Sequence, residues 1–378
     1  MGNMLSYLKE YGDRTFSELP FTPVDNLILS QLAYCGFEQA ELPCPLHRLP
    51  GKVTFGVLSD ENGELFRLAA ESKRFRETIP LLYVSELDEG LIKQFSAVTF
   101  LLTDGSAYAA FRGTDSTLIG WREDFMLSFE CPVPAQRRAA RYLTEVSSVL
   151  SCRLRAGGHS KGGNLAMYAS AFSSEETRKN LIAVYSNDGP GFGRDVLESE
   201  GFRRILPLCR RYVPETSVIG MLLDNDAACT VVASDAAGLN QHNPYSWKTE
   251  GTDFVRKDGP DTAGTFISGS LRGWLSRMDG EKRRFLTDTL FDILEESGAK
   301  TLRELRTEPS AIVKALAAAG KLCAEDRQEM LSLVKALVLS AAESGEKTVR
   351  GKLDGVGGRR GKPDQASPDG RQIIKNDG

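Results

Sequence analysis

Histidine is scarce in this chain, with three in 378 residues, and no stretch reaches the roughly 18 uninterrupted apolar residues that a transmembrane helix requires. A general base therefore has few candidates, and an integral membrane segment is not expected. Residues Met1 to Glu10 lack a basic stretch followed by a long apolar one, so no secretory leader is expected either. Cysteine is odd in number at seven and shows no C-x-x-C spacing, which argues against a disulfide framework and a zinc site. A reducing compartment, the cytoplasm, is the expected location, with no metal. Neither sign of charge is in excess, at 47 Lys and Arg against 51 Asp and Glu, so there is no electrostatic case for nucleic acid.

What is present is a 41% hydrophobic content, enough for a large core and an α/β domain with extensions. The spacing predicts a helix near the start and a second over Leu27–Tyr34 with Asp25 or Asn26 as its cap. His47 falls in a proline-marked loop. Residues 52–95 read as helices, with Glu71, Lys73, Arg74 and Arg76 interleaved among apolar positions. Strand-like runs at 97–102 and 107–112 flank Thr103-Asp104-Gly105-Ser106, a hairpin signal. A helix over 135–150 then precedes a strand over 153–157, a helix over 164–172 and a buried strand at 181–186. Further strand-like runs lie at 210–213 and 229–233. The expected organisation is a helical segment over 1–95, a core over 96–260, a helical region over 261–344 and a disordered tail over 345–378, which is glycine-rich, charged and nearly free of aromatics.

The chain is organised around Gly158-His159-Ser160-Lys161-Gly162-Gly163-Asn164-Leu165-Ala166, a G-x-S-x-G sequence between strand and helix signals. A sharp strand-to-helix turn leaves no room for side chains beside the serine, which accounts for both glycines and lifts the hydroxyl clear of the sheet. The amide of Lys161 then stands at a helix N-terminus, where its partial positive charge stabilises an oxyanion.

A serine hydroxyl needs a base, usually a histidine oriented by a carboxylate. His159 adjoins the serine and points away from it, and His47 precedes the sheet. His242 alone follows the serine, in a polar loop after the last strand-like run. For the acid, Asp188 ends the strand after the nucleophile's helix and is followed by Gly189-Pro190-Gly191; Asp224 and Asp226, in a turn, are the alternatives.

Phe111-Arg112-Gly113-Thr114, Trp121 with Asp124, the Ser160 segment and Gln241-His242-Asn243-Pro244-Tyr245 together resemble class 3 (fungal-type) lipases. With Val24 to Gln31 and Asn187 to Phe192, the chain looks still more like an uncharacterised bacterial lipase-like family. The resemblance spans about residues 4–250. It implies an α/β-hydrolase fold with a mostly parallel sheet, Ser160 as nucleophile, His242 as base and the amides of Thr114 and Lys161 as oxyanion hole. Two positions depart from the class 3 pattern. Arg211 stands two residues before Val213-Pro214, where those lipases carry their acid, which leaves Asp188 as its heir. Lys161 replaces a leucine-like residue, and its cation suggests an anionic or polar substrate.

The expected function is a serine hydrolase that cleaves a carboxylic ester, of a small molecule or lipid, through an acyl-enzyme and without a cofactor. The loop after Thr114 and the helices of 262–344 are placed to cover the site. An acyl-thioesterase and a non-catalytic binding protein of the same fold are the other readings.

Overall fold

A computed structural model describes residues 2–261, 269, 273, 275–296, 300, 301 and 304. The tail over 345–378 and most of the expected C-terminal helical region lie outside the described residues.

Eight strands form the central sheet, and their spatial order follows the chain. These are β1 (Ile79–Asp88), β2 (Lys93–Leu101), β3 (Ala107–Phe111), β4 (Leu154–His159), β5 (Leu181–Asn187), β6 (Cys209–Pro214), β7 (Cys229–Val232) and β8 (Arg256–Lys257). β1 to β3 run antiparallel through the tight turn predicted at Asp104-Gly105, β3 to β7 are parallel, and β8 returns antiparallel. This is an α/β-hydrolase fold. Parallel neighbours need crossovers on the faces; α4 (Leu118–Met126) and α5 (Pro134–Val149) link β3 to β4, and α6 (Lys161–Phe172) leaves β4.

The two-residue strand period sorts side chains into two cores. Ala107, Ala109 and Phe111 face α5 and α6 through Ala139, Leu143, Leu165 and Ala169. Tyr108, Ala110, Val98 and Phe100 face the N-terminal helices α1 (Met4–Tyr11), α2 (Pro23–Leu32) and α3 (Ser59–Glu71). The N-terminal segment thus covers one whole face of the sheet. Its helix α2 starts earlier than the periodicity indicates. Thr22 caps it and Pro23 opens it, while Asp25 returns a bond to the Thr22 amide at 2.7 Å, so neither Asp25 nor Asn26 is the cap.

Residues 52–95 are only partly helical. After α3 the chain forms β1 and enters β2, with the sheet's edge inside the segment read as helices. β1 is an edge strand whose outer positions remain exposed, and the register shift between Leu81 and Val84 breaks its alternation. A mixed, charge-interleaved pattern results, which reads as a helix face. Arg74, one of those charged positions, is fully buried against Asp25.

Candidate active site

Ser160 sits between β4 and α6 with φ 58° and ψ −134°, a conformation that L-residues rarely adopt. Glycine makes the turn possible. A Cβ on Gly158 would lie 2.4 Å from the Gly162 carbonyl carbon, and one on Gly162 would lie 2.1 Å from the Phe111 carbonyl oxygen. The end of β3, the end of β4 and the start of α6 therefore meet at backbone contact. The Ser160 amide donates to the Asn187 carbonyl at 3.0 Å, tying the turn to β5. As the first residue of α6, Lys161 has an amide with no partner inside the helix.

Asp188 follows directly on β5, also in the left-handed region at φ 52°. Its Oδ2 lies 2.6 Å from His242 Nδ1, while Oδ1 accepts from the Ser217 hydroxyl at 2.5 Å and the Gly220 amide at 3.1 Å. Burial alone would raise this carboxyl, but the hydrogen bond and charge of His242, together with the Ser217 hydroxyl, outweigh it and hold the group below the ordinary aspartate range. An ionised Asp188 accepts the Nδ1 proton, which leaves Nε2 as the His242 nitrogen that faces away from the acid. Of the three carboxylates weighed as the acid, Asp188 is the one His242 reaches. Asp224 and Asp226 line a separate cavity.

His242 ends a 3-10 turn, Gly238–His242, held on several sides. The Gln241 side chain accepts from the Thr216 amide at 2.7 Å, and its carbonyl accepts from the buried Trp247 indole at 2.9 Å. His159 adds a third hold, because its Nε2 lies 2.8 Å from the His242 carbonyl and the two rings are 4.6 Å apart. A carbonyl only accepts, so His159 carries its proton on Nε2 and turns Nδ1 toward the Tyr34 hydroxyl, 3.3 Å away. Burial, reinforced by the nearby His242, pushes the His159 imidazole down to about 3, which keeps it neutral. Sequence reasoning placed His159 away from the serine but missed this grip on the other histidine.

Lys161 requires a correction. Its ammonium is buried and does not face a substrate site: it donates to the Gln94 carbonyl at 3.0 Å, to Gln94 Oε1 at 2.7 Å and to Glu123 Oε2 at 3.0 Å. Glu123 is equally sealed and also accepts the Gln94 amide at 3.0 Å and the Ala135 amide at 2.7 Å, joining α4, β2 and the start of α5. The cation answers a carboxylate inside the protein, and the expectation of an anionic substrate drawn from it falls. Glu123 escaped sequence reasoning; its only sign was a carboxylate between Arg122 and Asp124, the one charged run of its helix.

Thr114 lies in the loop after β3, and its hydroxyl donates to Asp124 Oδ2. Burial pushes the Asp124 carboxyl up to about 6 despite the opposing pull of Lys161 and Thr114. On the same helix α4, Arg122 pairs with Asp288 at 3.0 Å, Asp292 at 3.3 Å and Glu295 at 3.1 Å, all on α7 (Gly280–Glu296). Phe125 stacks edge-on against Phe291, with ring centres 5.6 Å apart. The element after Thr114 is thus tethered to the C-terminal region. Arg211, at the position that departs from the class 3 pattern, lies under the loop that holds Asp188 and donates to the Gly220 carbonyl at 2.8 Å. His47 caps nothing at this site and bonds the Arg76 carbonyl. Among the described residues no group of three or more His, Cys, Asp or Glu side chains is arranged to hold a metal, and no helix is long and apolar enough to cross a membrane.

The model of a family described as Mbeg1-like matches residues 69–292, more than half of the chain. No curated protein matches. Among solved structures, the chain is similar to M37 lipase at 14% identity, with 52% of this chain and 68% of that one covered and a TM-score of 0.35. It is also similar to the Rhizomucor miehei lipase propeptide complex (16%, 65% and 76%, 0.35) and to the lipase from Rhizopus microsporus var. chinensis (12%, 70% and 83%, 0.36).

Proposed function

The chain belongs to the Mbeg1-like family, and from the chemistry of its elbow we propose that it is a lipase- or esterase-type serine hydrolase that cleaves a carboxylic ester through an acyl-enzyme. The observation that carries this reading is the 2.6 Å contact from His242 Nδ1 to a buried, ionised Asp188, in a fold whose sharpest turn presents Ser160. With Nδ1 donating to Asp188, His242 Nε2 takes the proton from Ser160 Oγ as the oxygen attacks the ester carbonyl. The amides of Thr114 and Lys161 receive the developing oxyanion, the second at the positive end of α6. The imidazolium then protonates the leaving alcohol, and water, deprotonated by the same nitrogen, releases the acid. The substrate is a small-molecule or lipid ester, no cofactor enters the reaction, and the cytoplasm is the compartment that goes with the cysteine pattern.

A fluorophosphonate probe tests this on the full chain. The wild-type protein is expected to be labelled and Ser160→Ala to remain unlabelled. A folded wild type that resists the probe would sink the hydrolase reading in favour of a non-catalytic binding protein. Turnover of matched ester and thioester substrates then separates an esterase from a thioesterase, with the ester expected to be the faster.

A further inference from the structure

Arg211 points from β6 into a cavity of about 340 Å³, which it lines together with Arg194, Glu198, Gly220, Asp224 and Asp226; Arg194 and Glu198 pair with each other at 4.0 Å. The volume is within the range of small-molecule sites. Arg211 is only 7% exposed, and among the described residues no carboxylate lies within ion-pair distance of its guanidinium. One bond, to the Gly220 carbonyl, satisfies part of its planar fork, and the buried Nε has no partner. A guanidinium taken out of water with neither a counter-ion nor a full set of acceptors is costly, and a fold that needed only a filler would use an apolar side chain of similar volume.

We propose that this cavity is a binding site for a small anion, a phosphate or carboxylate group that Arg211 grips through the planar fork of its guanidinium. Such a group supplies the acceptor and the counter-charge that the buried arginine lacks. Glu198, Asp224 and Asp226 stand exposed at the cavity, the first paired with Arg194, and set an opposing field, which limits the affinity and selects ligands small enough to sit close to Arg211. The site adjoins the machinery around Ser160 without belonging to it: the carbonyl of Gly220 receives Arg211 and its amide holds Asp188 Oδ1.

Calorimetric titration of the full chain with inorganic phosphate and, separately, with acetate tests the proposal. Saturable binding of at least one anion is expected, weakened tenfold or more in Arg211→Met and by a smaller factor in Arg211→Lys, which keeps the charge but loses the fork. The double variant Asp224→Asn with Asp226→Asn, on exposed positions that do not endanger the fold, is expected to tighten binding severalfold. Absence of saturable binding of both anions to the wild type would overturn the site. So would unchanged binding in a folded Arg211→Met protein, or, should that variant fail to fold, unchanged binding in the double variant.

Discussion

Two carboxylate–base pairs flank Ser160, and they differ in what surrounds them. Asp188 is buried but its partner His242 is 30% exposed and sits on a turn, whereas Lys161 and Glu123 are at most 1% exposed and sit on helices. Lys161 donates to three fixed acceptors, the Gln94 carbonyl, Gln94 Oε1 and Glu123 Oε2, inside the protein. His242 has one nitrogen committed to Asp188 and the other free to exchange a proton. Openness on one side distinguishes a pair able to do acid–base chemistry from one that braces the elbow, although both consist of a buried acid and its partner.

The largest expected break in this comparison is Asp188→Asn, which removes the acceptor that sets the His242 tautomer. Ester turnover is expected to fall by about 10⁴-fold, by analogy with the known cost of the wrong tautomer in such triads. The protein should remain folded, and kinetics paired with circular dichroism will check both halves. Next comes Glu123→Gln, which leaves a buried ammonium without its counter-charge. Here stability, read by urea unfolding, is expected to drop by about 3–5 kcal/mol, while turnover per folded molecule stays within about tenfold. A loss of chemistry larger than the loss of stability would erase the distinction between the two pairs.

The smallest effect is the sharpest. Folding raises the Asp124 carboxyl to about 6, so its favourable contribution is full below the unfolded aspartate value and is lost as pH rises through about 6. Asp124→Asn, which stays neutral, is therefore expected to gain melting temperature over wild type at pH 8 and to lose that advantage toward pH 4. Parallel melting curves across that range will check the sign.

The elbow was legible in the sequence because its glycines stand at a fixed spacing about the serine: Gly158 is demanded by Gly162 within the turn, even though Gly162 itself answers to the Phe111 carbonyl at the end of β3. The strands on either side were legible too, since β3 and the first residues of β5 are short apolar runs and β4 leads directly into the elbow. The acid was one of three carboxylates, as nothing in the spacing says which strand end lies opposite a loop more than fifty residues on; β5 and the His242 turn meet only through the order of the sheet. The destination of Lys161 was invisible for the same reason, because Gln94 and Glu123 are brought beneath it by β2 and α4 from distant parts of the chain. The edge strand β1 was misread where its half-exposed, bulged pattern imitates a helix.

One hydrogen-bonded chain has a consequence for where this protein can be cut. Asn26 of α2 donates to Asn187 Oδ1 at 2.9 Å, the neighbour of Asp188, while Tyr34 reaches His159. Asn187 in turn donates to the Gly158 carbonyl at 3.1 Å, beneath Ser160. Trimming the chain to its sheet would strip these wedges from under both arms of the elbow and bare an apolar face. The smallest piece that keeps the elbow braced starts before α2, and a designer grafting this elbow elsewhere would have to carry that helix with it.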